Sequence, residues 1–123
     1  MPRLLIADDQ DPIRQMVRIT LATQGWEIVE ATNGTQAMAL ARSERPDLAL
    51  LDIDMGTGPS GFDVCRAIKS DDATMHMPVV LLTAFDNEAD RAKGFAAGAD
   101  RYLTKPFSPL ALIDTIRAII APR

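Results

Sequence analysis

The stretch Leu48-Ala49-Leu50-Leu51-Asp52 decides the fold. Four apolar residues in a row leave no polar face for water, and an acid closes the run. Half-exposed strands alternate apolar and polar residues. A run without alternation reads instead as a strand buried on both faces, the kind that belongs to a parallel sheet covered by helices. The signature recurs in Leu4-Leu5-Ile6-Ala7 before Asp8-Asp9, in Val79-Val80-Leu81-Leu82 before Thr83, and in shorter form in Tyr102-Leu103 just before Lys105. Ligands of parallel sheets bind beyond the carboxyl ends of the strands. Three acids, one hydroxyl and one ammonium are therefore expected to converge on a single rim.

Working outward, strands are expected at about 3–8, 27–31, 48–53, 78–83 and 101–105, alternating with helices at about 12–24, 34–45, 61–70, 87–97 and 108–120. This is a (βα)5 order. Parallel strands need crossover connections, and these are right-handed, so helices cover both faces of the sheet and an α/β three-layer sandwich follows. The punctuation agrees with these boundaries. Pro12 suits a first helical turn, Gly25 follows the first helix, Asn33-Gly34 marks a loop, Pro46-Asp47 precedes the third strand and Gly98 closes the fourth helix. In the last helix Leu112, Ile113, Ile116, Ile119 and Ile120 recur at helical spacing and are expected to face the core.

At 123 residues the chain is expected to form one domain, residues 1–123, with no separate effector domain. The net charge of −4, with acids and bases interspersed, offers no basic stripe and argues against direct nucleic-acid binding. A single cysteine, Cys65, excludes an intrachain disulfide and reads as a small buried thiol. No apolar stretch approaches the roughly 20 residues of a membrane span, and Leu4 to Ala7 is too short for a signal-peptide core, so the expected setting is the cytoplasm, away from membranes. Trp26 reads as a packing residue and His76 as an exposed loop residue.

Asp8, Asp9 and Asp52 at adjoining strand ends would repel one another by roughly 4 kcal/mol per pair at ~4 Å and an effective dielectric near 20. Lys105 supplies one compensating charge. An oxygen-rich, carboxylate-lined cleft also suits a hard divalent cation, and Mg²⁺ takes one or two carboxylates, waters and phosphate oxygens. A cation, a lysine and a threonine hydroxyl in one cleft are the parts that stabilise a phosphoryl group in transfer, with a carboxylate in the middle as acceptor.

The acid pair Asp8-Asp9, Asp52 at the end of the third strand, Thr83-Ala84 and Lys105-Pro106-Phe107 together resemble the receiver domain of two-component response regulators, the CheY-like superfamily, and the resemblance covers the whole chain. It implies a flavodoxin-like sandwich whose five parallel strands run in the order 2-1-3-4-5. It implies Asp52 as phosphoacceptor, with Mg²⁺, or Mn²⁺ in its place, bound by Asp9, Asp52 and the backbone carbonyl of Asp54, and Asp8 acting through metal-bound water. Thr83 and Lys105 would hold the phosphoryl oxygens, Lys105-Pro106 would be a cis peptide, and Thr83 and Tyr102 would form the switch. The implied partners are a sensor histidine kinase or phosphotransfer protein, a downstream protein effector, and a second copy docking through helix 4, strand 5 and helix 5.

The chain departs from the family after Asp54, where Met55 runs into Gly56-Thr57-Gly58-Pro59-Ser60-Gly61 and the usual proline is displaced. That loop is expected to be a longer and more mobile lid. Asp54 adds a fourth carboxylate, read as solvent-facing with only its carbonyl a ligand; a direct gain in metal affinity is the alternative. Phe85, two positions after Thr83, offers no hydrogen bond to an attacking water and is expected to slow self-dephosphorylation. Asp52-Ile53-Asp54 also resembles the Asp-x-Asp of haloacid-dehalogenase-type phosphatases, but there the Asp-x-Asp strand comes first in the chain. A module that keeps the fold without phosphorylation, and a flavin site, are weaker readings: the acid, threonine and lysine set is complete, and no phosphate loop follows the first strand.

Overall fold

The computed structural model of the protein describes residues 2–84 and 87–120. Five strands and five helices alternate along them: β1 Arg3–Ala7, α1 Asp11–Ala22, β2 Glu27–Ala31, α2 Gly34–Glu44, β3 Leu48–Asp52, α3 Gly61–Ser70, β4 Val79–Thr83, α4 Glu88–Ala96, β5 Arg101–Thr104 and α5 Pro109–Ile120. All strand pairs are parallel, and the sheet order is β2-β1-β3-β4-β5. Chain order reverses direction at β1, which has β2 on one side and β3 on the other. That is the switch point at which open α/β sheets form their ligand crevice.

Period-two alternation divides the core. Leu5, Ala7, Ala49, Leu51, Val79 and Leu81 pack with Ala37 and Ala41 of α2 and with Val64, Cys65 and Ile68 of α3. Leu4, Ile6, Leu48, Leu50, Val80 and Leu82 pack on the other face with Val17 and Leu21 of α1, Leu112 and Ile116 of α5, and Trp26. Strands β3 and β4 are buried along their whole length, whereas the edge strands β2 and β5 are only partly so. The expected stripe on α5 narrows to Leu112 and Ile116, with Ile113 and Ile119 half-buried. Ile120 is 47% exposed, because the last turn runs past the edge of the core. Helix α4 contributes least, with Gly94 its only buried residue.

Register carries the polar residues to one end. Ala7 pairs with Leu51, so Asp8 and Asp52 follow at the same level on neighbouring strands. Asp52 pairs with Leu82, which precedes Thr83, and Thr83 pairs with Thr104, which precedes Lys105.

The loop between β3 and α3 has contacts at both of its ends. Gly56 and Gly58 take φ of +85° and +90°. On either side of them Met55 is buried in the core, and Ser60 with Asp63 forms a capping box that fixes the start of α3. Pro59 packs onto the first residue of α2, where a Cβ on Gly34 would stand 2.2 Å from the Pro59 carbonyl oxygen. Gly34→Ala is therefore expected to force α2 and the loop apart and to destabilise the fold by about 1–3 kcal/mol. Urea unfolding midpoints measure the loss, and unchanged stability would show that the loop yields freely.

Candidate functional site

Asp8 follows β1 and is fully buried, at 0% exposure, while Asp9 beside it is exposed. A buried carboxylate requires partners, and Asp8 has them on both oxygens. The Gln10 N–H donates to Oδ1 at 2.9 Å and Lys105 Nζ donates to Oδ2 at 2.7 Å. Lys105 Nζ also stands 3.3 Å from Asp52 Oδ2, so one ammonium bridges the ends of β1 and β3. The backbone of Lys105 is tied in turn, its N–H donating to the Thr83 carbonyl at 2.7 Å, and the following bond to Pro106 is cis, as expected.

One oxygen from each of Asp8, Asp9 and Asp52 lies within 4.8 Å of the others. A cavity of about 410 Å³ opens beside them, lined among others by Asp9, Gln10, Asp52, Asp54, Thr83 and Lys105. Asp9, Asp52, the buried Thr83 and Lys105 thus line one cleft, with Asp8 beside them. The Asp54 side chain is exposed and turned to its own loop, accepting the Gly56 N–H at 3.1 Å, so its carboxylate stays out of the triad. Phe85 lies outside the described residues.

The electrostatics are those of crowded acids relieved by one base. Burial, and then the neighbouring Asp8 charge, push the Asp52 carboxyl up to about 6 against the opposing pull of Lys105. Burial works against the Lys105 charge too, but the hydrogen bond and charge of Asp8, reinforced by Asp52, hold its ammonium above the ordinary lysine range. Three carboxylates and one ammonium leave two negative charges unmatched. The donor set is hard oxygen throughout. Two ligands of one octahedral Mg²⁺ stand up to about 4.2 Å apart, close to the spacing already present. The residues therefore fit a small divalent cation.

Tyr102 lies half-buried on β5. Its ring leans over Gly94 and against Phe95, with centroids 5.7 Å apart, and its hydroxyl donates to the Asp90 backbone carbonyl. Asp90 itself lines the cleft. Asn87, three residues earlier, caps the start of α4 and fixes Asp90 in the first turn, where the Asp90 N–H donates to the Asn87 side chain at 2.8 Å. Arg14 was missed altogether; it sits 12% exposed and donates to the Asp8 carbonyl at 2.7 Å. Its signal was a charged residue on the face of α1 that carries Val17 and Leu21. Cys65 is a structural thiol, pushed up to about 11 by burial, and His76 is exposed.

The sequence pattern of the response regulator receiver domain matches residues 4–117. The phosphate regulon transcriptional regulatory protein PhoB of Pseudomonas aeruginosa is 42% identical over 117 residues, which are 95% of this chain and 51% of that protein, so the chain spans about half of this relative. Among solved structures, the chemotaxis protein CheY4 of Vibrio cholerae superposes with a TM-score of 0.92 at 32% identity, over 98% of this chain and 99% of that one. The receiver domain of the sensor histidine kinase PA1611 from Pseudomonas aeruginosa, solved with a magnesium ion coordinated in the active site cleft, gives a TM-score of 0.89 at 25% identity, over 98% of each chain. Haloacid-dehalogenase chemistry gives way to this kinship. The match begins inside β1 and ends inside α5, so every strand end that carries the rim falls within it, and the chain belongs to the response regulator receiver domains, the signalling domains of two-component systems.

Proposed function

We propose that Asp52 accepts a phosphoryl group from the phosphohistidine of a sensor histidine kinase or phosphotransfer protein, and that residues 1–123 act as a receiver whose phosphorylation is read by a downstream protein. The observation that carries this reading is the Lys105 ammonium held between Asp8 and Asp52, at 2.7 Å and 3.3 Å, at the mouth of an acid-lined cleft. A carboxylate oxygen of Asp52 attacks phosphorus. The phosphorus–nitrogen bond breaks, its electron pair stays on the imidazole, and an acyl phosphate remains on the protein. Water attack on that phosphorus later releases inorganic phosphate and restores the carboxylate, so the chain runs self-phosphorylation and self-dephosphorylation without turnover of another substrate.

Asp8, Asp9, Asp52 and the Asp54 carbonyl would hold Mg²⁺, or Mn²⁺ in its place, and the relative solved with magnesium supports that assignment. When bound, the ion neutralises charge on the carboxylates and on the transferring oxygens. Lys105 and the Thr83 hydroxyl donate to those oxygens. Charge-assisted hydrogen bonds contribute about 1.5–3 kcal/mol each, so these two supply about 3–6 kcal/mol to whichever conformation forms them. Reversing a two-state equilibrium from 1:99 to 99:1 takes about 5.5 kcal/mol. Thr83 and Tyr102 form the switch: as Thr83 moves to the phosphoryl group, the Tyr102 hydroxyl leaves the Asp90 carbonyl and the ring turns inward. The light anchoring of α4 favours such a change. The altered face, made of α4, β5 and α5, carries exposed Phe95 and Leu110 and would meet the effector or a second copy of the chain. The absence of a basic stripe favours protein partners, and the setting is the cytoplasm.

Incubation with acetyl phosphate and Mg²⁺ is expected to add one phosphoryl group per chain by mass spectrometry and none to Asp52→Asn. Equal labelling of the variant, or catalytic turnover of simple phosphomonoesters, would contradict the reading.

The raised carboxyl of Asp52 has a consequence for stability. A folded-state pKa of about 6 against 3.8 means that the folded chain holds this proton more tightly than the unfolded chain does. Stability therefore falls as pH rises from about 4 to 6, and the full penalty, about 1–3 kcal/mol, persists above that window. In EDTA, Asp52→Asn is expected to stabilise the fold by that order at pH 7 and to change little at pH 4, measured by urea unfolding. A destabilised variant at pH 7 would mean that Lys105 more than compensates the Asp52 charge.

A further inference from the structure

Arg14 belongs to the face of α1 that meets the sheet. Val17 and Leu21, three and seven residues further on, are both buried there, and Arg14 occupies the same stripe one turn higher, beside the loop that carries Asp8 and Asp9. Its guanidinium has three partners. Nη1 donates to the Asp8 carbonyl at 2.7 Å, Nη2 pairs with Asp11, and Nε faces Glu30 on β2 at 3.4 Å, while Arg18 holds the same Glu30 at 2.8 Å. On its other side the Asp8 N–H donates to the Ala31 carbonyl of β2 at 3.1 Å. Both backbone polar groups of Asp8 are thus tied to fixed points, and the carbonyl that Arg14 grips belongs to the peptide that joins Asp8 to Asp9.

That peptide decides the geometry of the acid pair. Asp8 is held at both carboxylate oxygens by Gln10 and Lys105, whereas Asp9 is exposed and its backbone continues from the peptide that Arg14 holds. We propose that Arg14 is a positioning residue for the divalent cation: by clamping the Asp8 carbonyl against Asp11 and Glu30, it fixes the spacing between the Asp8 and Asp9 carboxylates. Arginine suits the task because its planar fork serves several acceptors at once, which a lysine ammonium on a flexible stem does not. Groups one step behind metal ligands commonly change metal affinity by about 10–100-fold when they are removed. The inference rests on the reading of Asp8, Asp9 and Asp52 as the cation site.

The test is a Mg²⁺ titration of the chain, followed by backbone amide shifts, for the wild type, Arg14→Lys, Arg14→Ala, Glu30→Gln and Asp9→Asn, each paired with urea unfolding in EDTA. Arg14→Ala is expected to weaken Mg²⁺ binding about 10-fold or more. Arg14→Lys, which keeps the charge and the fold, is expected to recover only part of that affinity. Glu30→Gln is expected to weaken binding less, and to add nothing once Arg14 is alanine, because the two act through one contact. At saturating Mg²⁺ the rate of labelling by acetyl phosphate should return to within about 2-fold of wild type, a split between affinity and rate that a general loss of structure does not produce. Wild-type affinity in Arg14→Ala and Arg14→Lys, or a rate deficit that survives saturation, overturns the positioning role. Unchanged affinity in Asp9→Asn overturns the cation site itself, and is recognisable as that distinct failure.

Discussion

One ammonium between two buried carboxylates organises this molecule. Lys105 arrives from β5, Asp8 from β1 and Asp52 from β3, and none of the three is near another in sequence. At separations of about 4 Å each pair of like charges opposes the fold by roughly 4 kcal/mol, and each opposite pair offsets a similar amount. The strand ends can be brought together only because the sheet beneath them is apolar to the last residue and its register is fixed on both faces. A slip of one residue would turn Asp52 to the other face of the sheet and take it off the level of Asp8. The core thus sets the site, and the site keeps an excess of negative charge that a divalent cation is suited to offset.

The same arrangement connects the cleft to the surface. Asp90 lines the cleft with its residue and holds the Tyr102 hydroxyl with its backbone carbonyl, so one turn of α4 touches both the proposed reaction centre and the proposed switch. Helix α4 rests on the sheet through little more than Gly94, whose missing side chain leaves room for the Tyr102 ring. An element held so lightly has a small free-energy gap between arrangements. Two new hydrogen bonds at the cleft are of the right size to shift it. The β3–α3 loop lines the cleft with Asp54 and Gly56, next to the buried Met55 and the contact between Pro59 and Gly34.

Most of the fold was legible because its signals are local. Continuous apolar runs such as Leu48 to Leu51 announce strands buried on both faces, and the polar residue closing each run announces the rim. Asn33, Ser60 and Asn87 mark helix starts through contacts that span only three residues. What the sequence concealed depends on tertiary placement. Gly56 and Gly58 read as freedom, and the contacts of Met55 and Pro59 beside them are with residues of other elements. Ile120 fits the spacing of the α5 stripe but projects past the core. Arg14 looks like one more surface charge until β2 places Glu30 beneath it and the loop places the Asp8 carbonyl above it.

The most direct test of this account is a crystal structure of the chain with Mg²⁺ and beryllofluoride, a stable mimic of an acyl phosphate. The account predicts beryllium on a carboxylate oxygen of Asp52, fluorines accepting from the Thr83 hydroxyl and Lys105 Nζ, and the cation on Asp9 and Asp52. Beryllofluoride bound elsewhere, or Lys105 still paired with Asp8 and turned away from the fluorines, would contradict it.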